Sequence, residues 1–205
     1  MRRRLLITGA SQGLGLVAAE YFSQSFDVVP LKFDYVHADI WPCVPLEFDA
    51  VLHCAGGGMG LRNPMLSAAE LGRLFMLNVG AACAVNQAVI PHMKARGSGH
   101  IVHICSIASG EAVGSVGYNT VKAALAAYTR SLGREMAPYG LVVTGIAPGA
   151  FNAPGGAMDR LRANNPEAYE DFEHNRLPRR MMGDARELLP VMELLLSPAA
   201  SMMAG

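Results

Sequence analysis

The chain has little with which to staple itself together. Its 205 residues include four cysteines, Cys43, Cys54, Cys83 and Cys105. No C-x-x-C pair occurs, and the spacings fit neither a zinc site nor a disulfide framework. Three of the four sit in apolar runs, where cysteine behaves as a small hydrophobe. The six histidines, His37, His53, His92, His100, His103 and His174, are scattered and form no H-E-x-x-H motif, so no metal centre is expected. Net charge is also lacking: 17 basic residues balance 17 acidic ones. That leaves no electrostatic case for nucleic acid or an anionic membrane as a partner. Apolar runs read as too short to span a bilayer. The opening MRRRLLITGAS carries a basic run, but Thr8, Gly9 and Ser11 cut the apolar part far below a signal-peptide core. Arg2, Arg3 and Arg4 read as a solvated entry to a first strand, and the expected location is the cytoplasm.

What is present is apolar and periodic. Hydrophobic residues make up 51% and charged residues 17%, which argues for order and suits strands buried on both faces. Short apolar runs alternate with helical patterns. LLIT (5–8), DVVPL (27–31), FDAVLHCAG (48–56), HIVHICS (100–106) and LVVTGIAPG (141–149) read as strands, with a weaker one near Tyr35 to Ala38. Pro30 demotes the far end of the second strand. In HIVH, His100 and His103 point to opposite faces. A helix follows the first strand from about Leu14 to Ser23. One long helix over Ser67–Lys94 opens with a Ser67–Glu70 capping box, and another covers Val116–Ala137. Such alternation implies an α/β, doubly wound parallel sheet in a single domain, 1–205. Residues 150–182 read as irregular and Pro/Gly-punctuated, an active-site lid.

Two motifs carry chemistry. TGASQGLG (8–15) joins the first strand to its helix. Gly9 permits a tight turn, and Gly13 and Gly15 let backbone approach a pyrophosphate at a helix N-terminus. In YNTVK, Tyr118 and Lys122 are four apart, so on a helix they share a face. A lysine beside a tyrosine favours the phenolate and lowers its pKa, the requirement for a tyrosine acting as acid or base near neutral pH.

The G-x-x-x-G-x-G spacing after Thr8, together with Y-x-x-x-K at 118–122, resembles the short-chain dehydrogenase/reductase family, classical type, over nearly the whole chain. HCAG (53–56) stands where that family has N-N-A-G. Asn78 in FMLNVGA, Ser106 in ICSIAS, and IAPG (146–149) fall at further family positions. The resemblance implies a Rossmann-like sheet of order 3-2-1-4-5-6, with the family's last strand missing because the sequence stops at Ala204-Gly205. It implies an NAD(P)-dependent oxidoreductase that moves hydride between nicotinamide and a carbonyl or secondary alcohol. Tyr118 would be the acid/base, Lys122 would tune it and hold the nicotinamide ribose, Ser106 would orient the substrate oxygen, and Asn78 would anchor a relay water. Gly9, Ser11, Gly13, Leu14, Gly15, Ala55, Gly56, Pro148 and Gly149, with Tyr118 and Lys122, would line the cofactor. Asp39 resembles the family's adenine-contacting aspartate.

Departures are specific. Ser106 lies twelve residues before Tyr118 where thirteen is usual, and Cys105 occupies the thirteen spacing; Ser106 is chosen because a thiol is the poorer donor. Asn152 stands in for a threonine that bonds the cofactor carboxamide. Lys32, near the end of the second strand, would accept a 2′-phosphate, which places NADP ahead of NAD. The expected partners are a small carbonyl or alcohol substrate and further copies of the chain, in a homodimer or homotetramer packed through the two long helices. The rival reading is a non-catalytic dinucleotide-sensing or partner-docking protein of the same fold.

Overall fold

The computed structural model describes residues 2–31 and 47–205. Five parallel strands form the sheet: β1 (Arg4–Thr8), β2 (Asp27–Leu31), β3 (Ala50–His53), β4 (Gly99–Ile104) and β5 (Leu141–Ile146), in the order β2-β1-β3-β4-β5. With β3, β4 and β5 counted as the fourth to sixth expected strands, this matches the expected order. The third expected strand, near Tyr35–Ala38, lies outside the described residues, as do Lys32 and Asp39.

Helices cover both faces because successive strand residues point to opposite sides. Leu5 and Ile7 pack with Val17, Ala18 and Phe22 of α1 (Gly13–Phe22) and with Met192 and Leu195 of α7 (Leu189–Leu195). Leu6, Val51, Ile101 and Val143 pack on the other face with Val85, Val89 and Met93 of α3 (Ala81–Arg96). α4 (Val116–Met136) lies on that side and contributes Val121 and Leu125 to the interior. Pro30 lies opposite Ile7 in the parallel pairing of β2 with β1.

The long helix expected over Ser67–Lys94 is one continuous helical run in three parts. α2 (Ala68–Phe75) opens with the capping box, Glu70 N donating to Ser67 Oγ at 3.2 Å and Ser67 N to Glu70 Oε2 at 2.7 Å. A π-helical turn follows over Met76–Gly80, and then α3. By length and composition this run is apolar enough to cross a membrane, contrary to the sequence reading. In the fold its Leu74, Val79, Val85, Val89 and Met93 are buried inside the protein, while Phe75 and Met76 are exposed.

The segment after β5 also differs from expectation. Residues 150–182 are not irregular: they hold α5 (Ala157–Asn164) and α6 (Pro166–Arg176). A short parallel pair, β6 (Phe151–Asn152) and β7 (Gly183–Asp184), closes them off. The start signal was local. Asn165 Oδ1 accepts from Ala168 N at 3.0 Å, with Pro166 at the first helical position and Glu167 in the first turn.

Candidate active site at the carboxyl edge of the sheet

Parallel register brings the strand ends into one row: Thr8 pairs with His53, His53 with His103, and His103 with Gly145. Residues that follow these ends therefore share the carboxyl edge, where open α/β sheets bind ligands. After β1, Gly9 has φ +65°, and a Cβ there would lie 2.7 Å from Ala55 Cα. The turn is thus closed against the loop after β3, and Ala55 N also donates to Thr8 Oγ1 at 3.2 Å. A Cβ on Gly15 would collide with the Gly9 carbonyl, so α1 can seat against the turn only with glycine there. Around Gly13 a Cβ would meet nothing within 4 Å, and the same holds for Gly57 and Gly149. Ser11 is exposed, and the Leu14 side chain is buried in the core. The Gly13 amide, expected to face a pyrophosphate, donates to Pro154 O at 2.7 Å, so the segment after β5 reaches over the glycine turn.

The loop after β3 is tied to the π turn. Asn78 Oδ1 accepts from Gly57 N at 3.0 Å, while its Nδ2 donates to Gly57 O at 3.0 Å and Leu74 O at 2.9 Å. Both amide hydrogens are thereby used, and the carboxamide has none left to donate to a relay water. A Cβ on Gly56 would sit 2.8 Å from Asn78 Oδ1 and 3.2 Å from Lys122 Nζ, so the loop threads between them. Single π turns are frequent at functional sites.

β4 ends at Ile104, and its direction separates the next two side chains. Cys105 is buried, with Sγ 4.0 Å from Thr129 Oγ1. The Ser106 hydroxyl lies near enough to the Tyr118 phenol to lower its pKa, and Ser106 Oγ accepts from Ala108 N at 3.2 Å, capping a short turn over Ile107–Ser109. Of the two, Ser106 lowers the Tyr118 pKa and Cys105 raises it. The Tyr118 ring is flanked by two glycines that sequence reasoning passed over. A Cβ on Gly58 would come within 3.8 Å of its Cδ2, and one on Gly114 within 2.9 Å of its Cδ1. Asn119 Oδ1 accepts from Gly114 N at 3.0 Å and fixes that loop.

Lys122 is only 4% exposed, and its Nζ donates to Ile104 O at 2.8 Å. Burial lowers its pKa to about 8, against weaker raising effects from Cys105 and Cys54. The ammonium stands 5.8 Å from the Tyr118 ring centroid. The expected lowering of the Tyr118 pKa by Lys122 is not what this geometry gives. Burial pushes the phenol up, the Ser106 hydrogen bond pulls it down, and Cys105 pushes it up. The reason is that both groups are buried, which penalises both charged forms, and the ammonium is directed at a carbonyl.

Pro148 and Gly149 follow β5, and Pro148 O accepts from Ile107 N at 3.1 Å, which joins this turn to the Ser106 loop. Asn152 Nδ2 donates to Tyr169 OH at 2.7 Å, but its buried Oδ1 has no partner among the described residues. A glycine turn at a helix N-terminus, a buried lysine and an orphaned amide oxygen along one strand edge suit a dinucleotide laid there.

Comparison with known proteins agrees with this arrangement. The family model described as short chain dehydrogenase matches residues 45–163. Gluconate 5-dehydrogenase of Gluconobacter oxydans (strain 621H) is 30% identical over 237 aligned residues, covering 98% of this chain and 90% of the relative. A 3-oxoacyl (acyl-carrier-protein) reductase of Agrobacterium tumefaciens C58, solved with NADP bound, superposes with TM-score 0.83 at 22% identity, over 98% of this chain and 90% of that one. A 4-hydroxyisoleucine dehydrogenase complexed with NADH superposes with TM-score 0.85 at 19% identity, over 99% and 94%. The chain belongs to the short-chain dehydrogenase family and is an NAD(P)-dependent oxidoreductase of alcohol and carbonyl substrates.

Proposed function

We propose that Tyr118 is the acid/base of this reaction, with Ser106, Lys122 and Asn78 as its supports. The observation that carries this reading is that the phenol, the Ser106 hydroxyl and the Lys122 ammonium meet at one strand edge, although they come from different elements. Bound NAD(P) supplies the hydride acceptor or donor. Tyr118 passes the proton to a carbonyl oxygen or takes it from a hydroxyl. Ser106, close to the phenol, orients the substrate oxygen and shares its developing charge. Lys122 holds the nicotinamide ribose, and its cation favours the phenolate once the site is filled. Asn78 holds the Gly56–Gly57 loop in place. Gly9, Ser11, Gly13, Leu14, Gly15, Ala55, Gly56, Pro148 and Gly149 line the cofactor, with Asn152 Oδ1 free to accept from its carboxamide. Residues 150–182, with α5 and α6, act as the lid. The finer cofactor preference is NADP through Lys32.

The decisive experiment is turnover across a panel of carbonyl compounds and alcohols with NADPH and NADH. The panel starts from gluconate and other polyhydroxy acids, because the relative named above is a gluconate dehydrogenase. Cofactor binding without turnover anywhere on the panel would sink the catalytic reading.

Two variants test the geometry. Ser106→Ala should lower kcat by roughly 10²–10³-fold, whereas Cys105→Ala should be mild, since the thiol faces Thr129. The reverse order would show the alignment to be one residue wrong. Gly114→Ala should press its methyl on Tyr118 Cδ1 and Asn119 Oδ1. Displacing a reacting group by even ~1 Å can cost ~10²-fold, while forcing a methyl into packed surroundings typically costs ~1–3 kcal/mol of stability. Kinetics alongside a melting curve separate the two, and wild-type kcat would refute the flanking role.

The finer partner reading is a homo-oligomer packed through the long helical run over Ser67–Lys94 and through the helix over Val116–Ala137. Ala123 and Ala127 are exposed on α4, and Phe75 and Met76 are 46% and 44% exposed beside the π turn. Ala124 and Ala126 pack inside the same subunit, so only part of the small-residue face is available. A monomeric mass at micromolar concentration would overturn it.

A further inference from the structure

Behind the site lies a buried polar unit that the proposed chemistry does not use. His53 ends β3, and the parallel register sets it beside His103 of β4. Their rings stack with centroids 4.8 Å apart at 15°, close to the ~4.8 Å spacing of neighbouring strands. Both are buried, at 4% and 0% exposure. Asn86 of α3 straps them: its Oδ1 is 2.9 Å from His53 Nε2, and its Nδ2 is 3.2 Å from His103 Nε2 and 3.1 Å from Tyr128 OH. His103 Nδ1 is 3.1 Å from Thr129 Oγ1, which lies 2.8 Å from Leu125 O.

The proton positions follow from the last contact. A carbonyl can only accept, so the Thr129 hydroxyl donates to Leu125 O and must accept from His103 Nδ1–H. His103 Nε2 is then an acceptor, satisfied by Asn86 Nδ2, and Asn86 Oδ1 accepts from His53 Nε2–H. With both rings neutral and in opposite tautomers, every hydrogen in the chain has one acceptor. The unit also grips α4 together with the lysine. Thr129 and Lys122 are seven residues apart, two turns on one face, and they bond consecutive residues of β4, His103 and Ile104.

We propose that His53, Asn86, His103 and Thr129 are positioning residues for the reaction, fixing where α4 sits along β4 and so where Lys122 and Tyr118 stand over the carboxyl edge. This rests on the reading of Lys122 and Tyr118 given above. None of the four touches a reacting atom. His53 also leads directly into the Cys54–Gly57 loop, which Asn78 holds and which passes beside Lys122, so one unit serves both supports.

Thr129→Val keeps shape and removes the hydroxyl, Thr129→Ser restores it, and His103→Phe keeps the stack without its nitrogens. Three readouts apply: titration of Lys122 by carbon-13 NMR of its ε-methylene, binding of NADPH alone, and the pH–rate profile with whichever carbonyl compound the panel identifies. The expected result for Thr129→Val is a Lys122 titration displaced from about 8, NADPH binding weakened, and kcat down about 10- to 100-fold, with Thr129→Ser close to wild type. Should Thr129→Val lower only the melting temperature, leaving Lys122 titration, NADPH affinity and profile unchanged, the unit is core packing and the proposal fails; this holds even if His103→Phe does not fold. Should no panel compound turn over in the wild type, the catalytic reading falls, and the lysine titration and NADPH binding still decide whether the unit positions α4.

Discussion

Tyr118→Phe is expected to remove ~10²–10⁴-fold of turnover, the usual weight of a positioned acid or base, while cofactor affinity stays close to wild type. The phenol oxygen is needed when the proton moves, so its loss falls on kcat and kcat/KM alike. The ring itself is held by things the substitution leaves alone. Gly58 and Gly114 flank its edges, and the Asn119–Gly114 bond keeps the loop in place. Stability should therefore change little, and Ser106 keeps its bond to Ala108 N. Lys122→Ala should differ in kind: it should damage turnover and NADPH binding together, because the ammonium is buried between Ile104 O and the cofactor edge. Steady-state kinetics paired with NADPH titration separate the two patterns. Wild-type turnover in Tyr118→Phe would end the acid/base reading.

The second large effect is on stability in mild acid. His53 is buried with its pKa lowered to about 4, chiefly by desolvation, and His103 is held well below the usual range by burial, by His53 and by Lys122. His100 is shifted the same way, mainly by burial. A histidine with a depressed folded pKa is neutral in the native state, so the unfolded chain binds more protons below ~6.5. Its contribution is fully present above ~6.5 and is lost as pH falls toward the folded value. For His53, the interval from 6.5 to about 4 at ~1.36 kcal/mol per pKa unit is about 3 kcal/mol. Urea unfolding between pH 7.5 and 4.5 should show stability falling steeply below 6.5, before most carboxylates titrate. His53→Phe should flatten part of that slope. A wild-type curve flat from pH 7 to 4.5 would mean that the pair does not stay neutral in the folded protein.

The alternation of strands and helices was legible because it rests on local periodicity and on short-range punctuation. Leu5, Leu6 and Ile7 form a continuous apolar run, which is what a strand covered on both faces requires, and the structure divides that run between two cores. The Ser67–Glu70 box and the glycine turn after β1 were read for the same reason: caps and tight turns are made by residues a few positions apart. The start of α6 was local too, in Asn165, Pro166 and Glu167, and was missed because the surrounding Pro/Gly punctuation was taken as the dominant signal. The π turn at Asn78 had no local signature, since its register depends on the Gly57 backbone that Asn78 grips from 21 residues away.

The candidate site divides along the same line. Tyr118 and Lys122 were placed together by helical spacing alone, and glycine at 9 and 15 by what a strand-to-helix turn demands. That Ser106 lowers the phenol's pKa while the Cys105 thiol turns to Thr129 was decided by the direction in which β4 ends, a property of the sheet. The state of Tyr118 was likewise decided by tertiary structure: spacing put a cation near it, but burial of both groups and the pull of Ile104 O set the direction of the shift. The stacked His53–His103 pair shows the limit most plainly. The two residues are 50 positions apart and became neighbours through strand register, with Asn86 and Thr129 added from two helices. Sequence by itself determined the elements, the turn chemistry and the pairs within one helical turn, because those interactions span only a few residues. Tertiary structure alone decided which side chains from different strands share a face, how deeply each charge is buried and so which protonation states the fold permits.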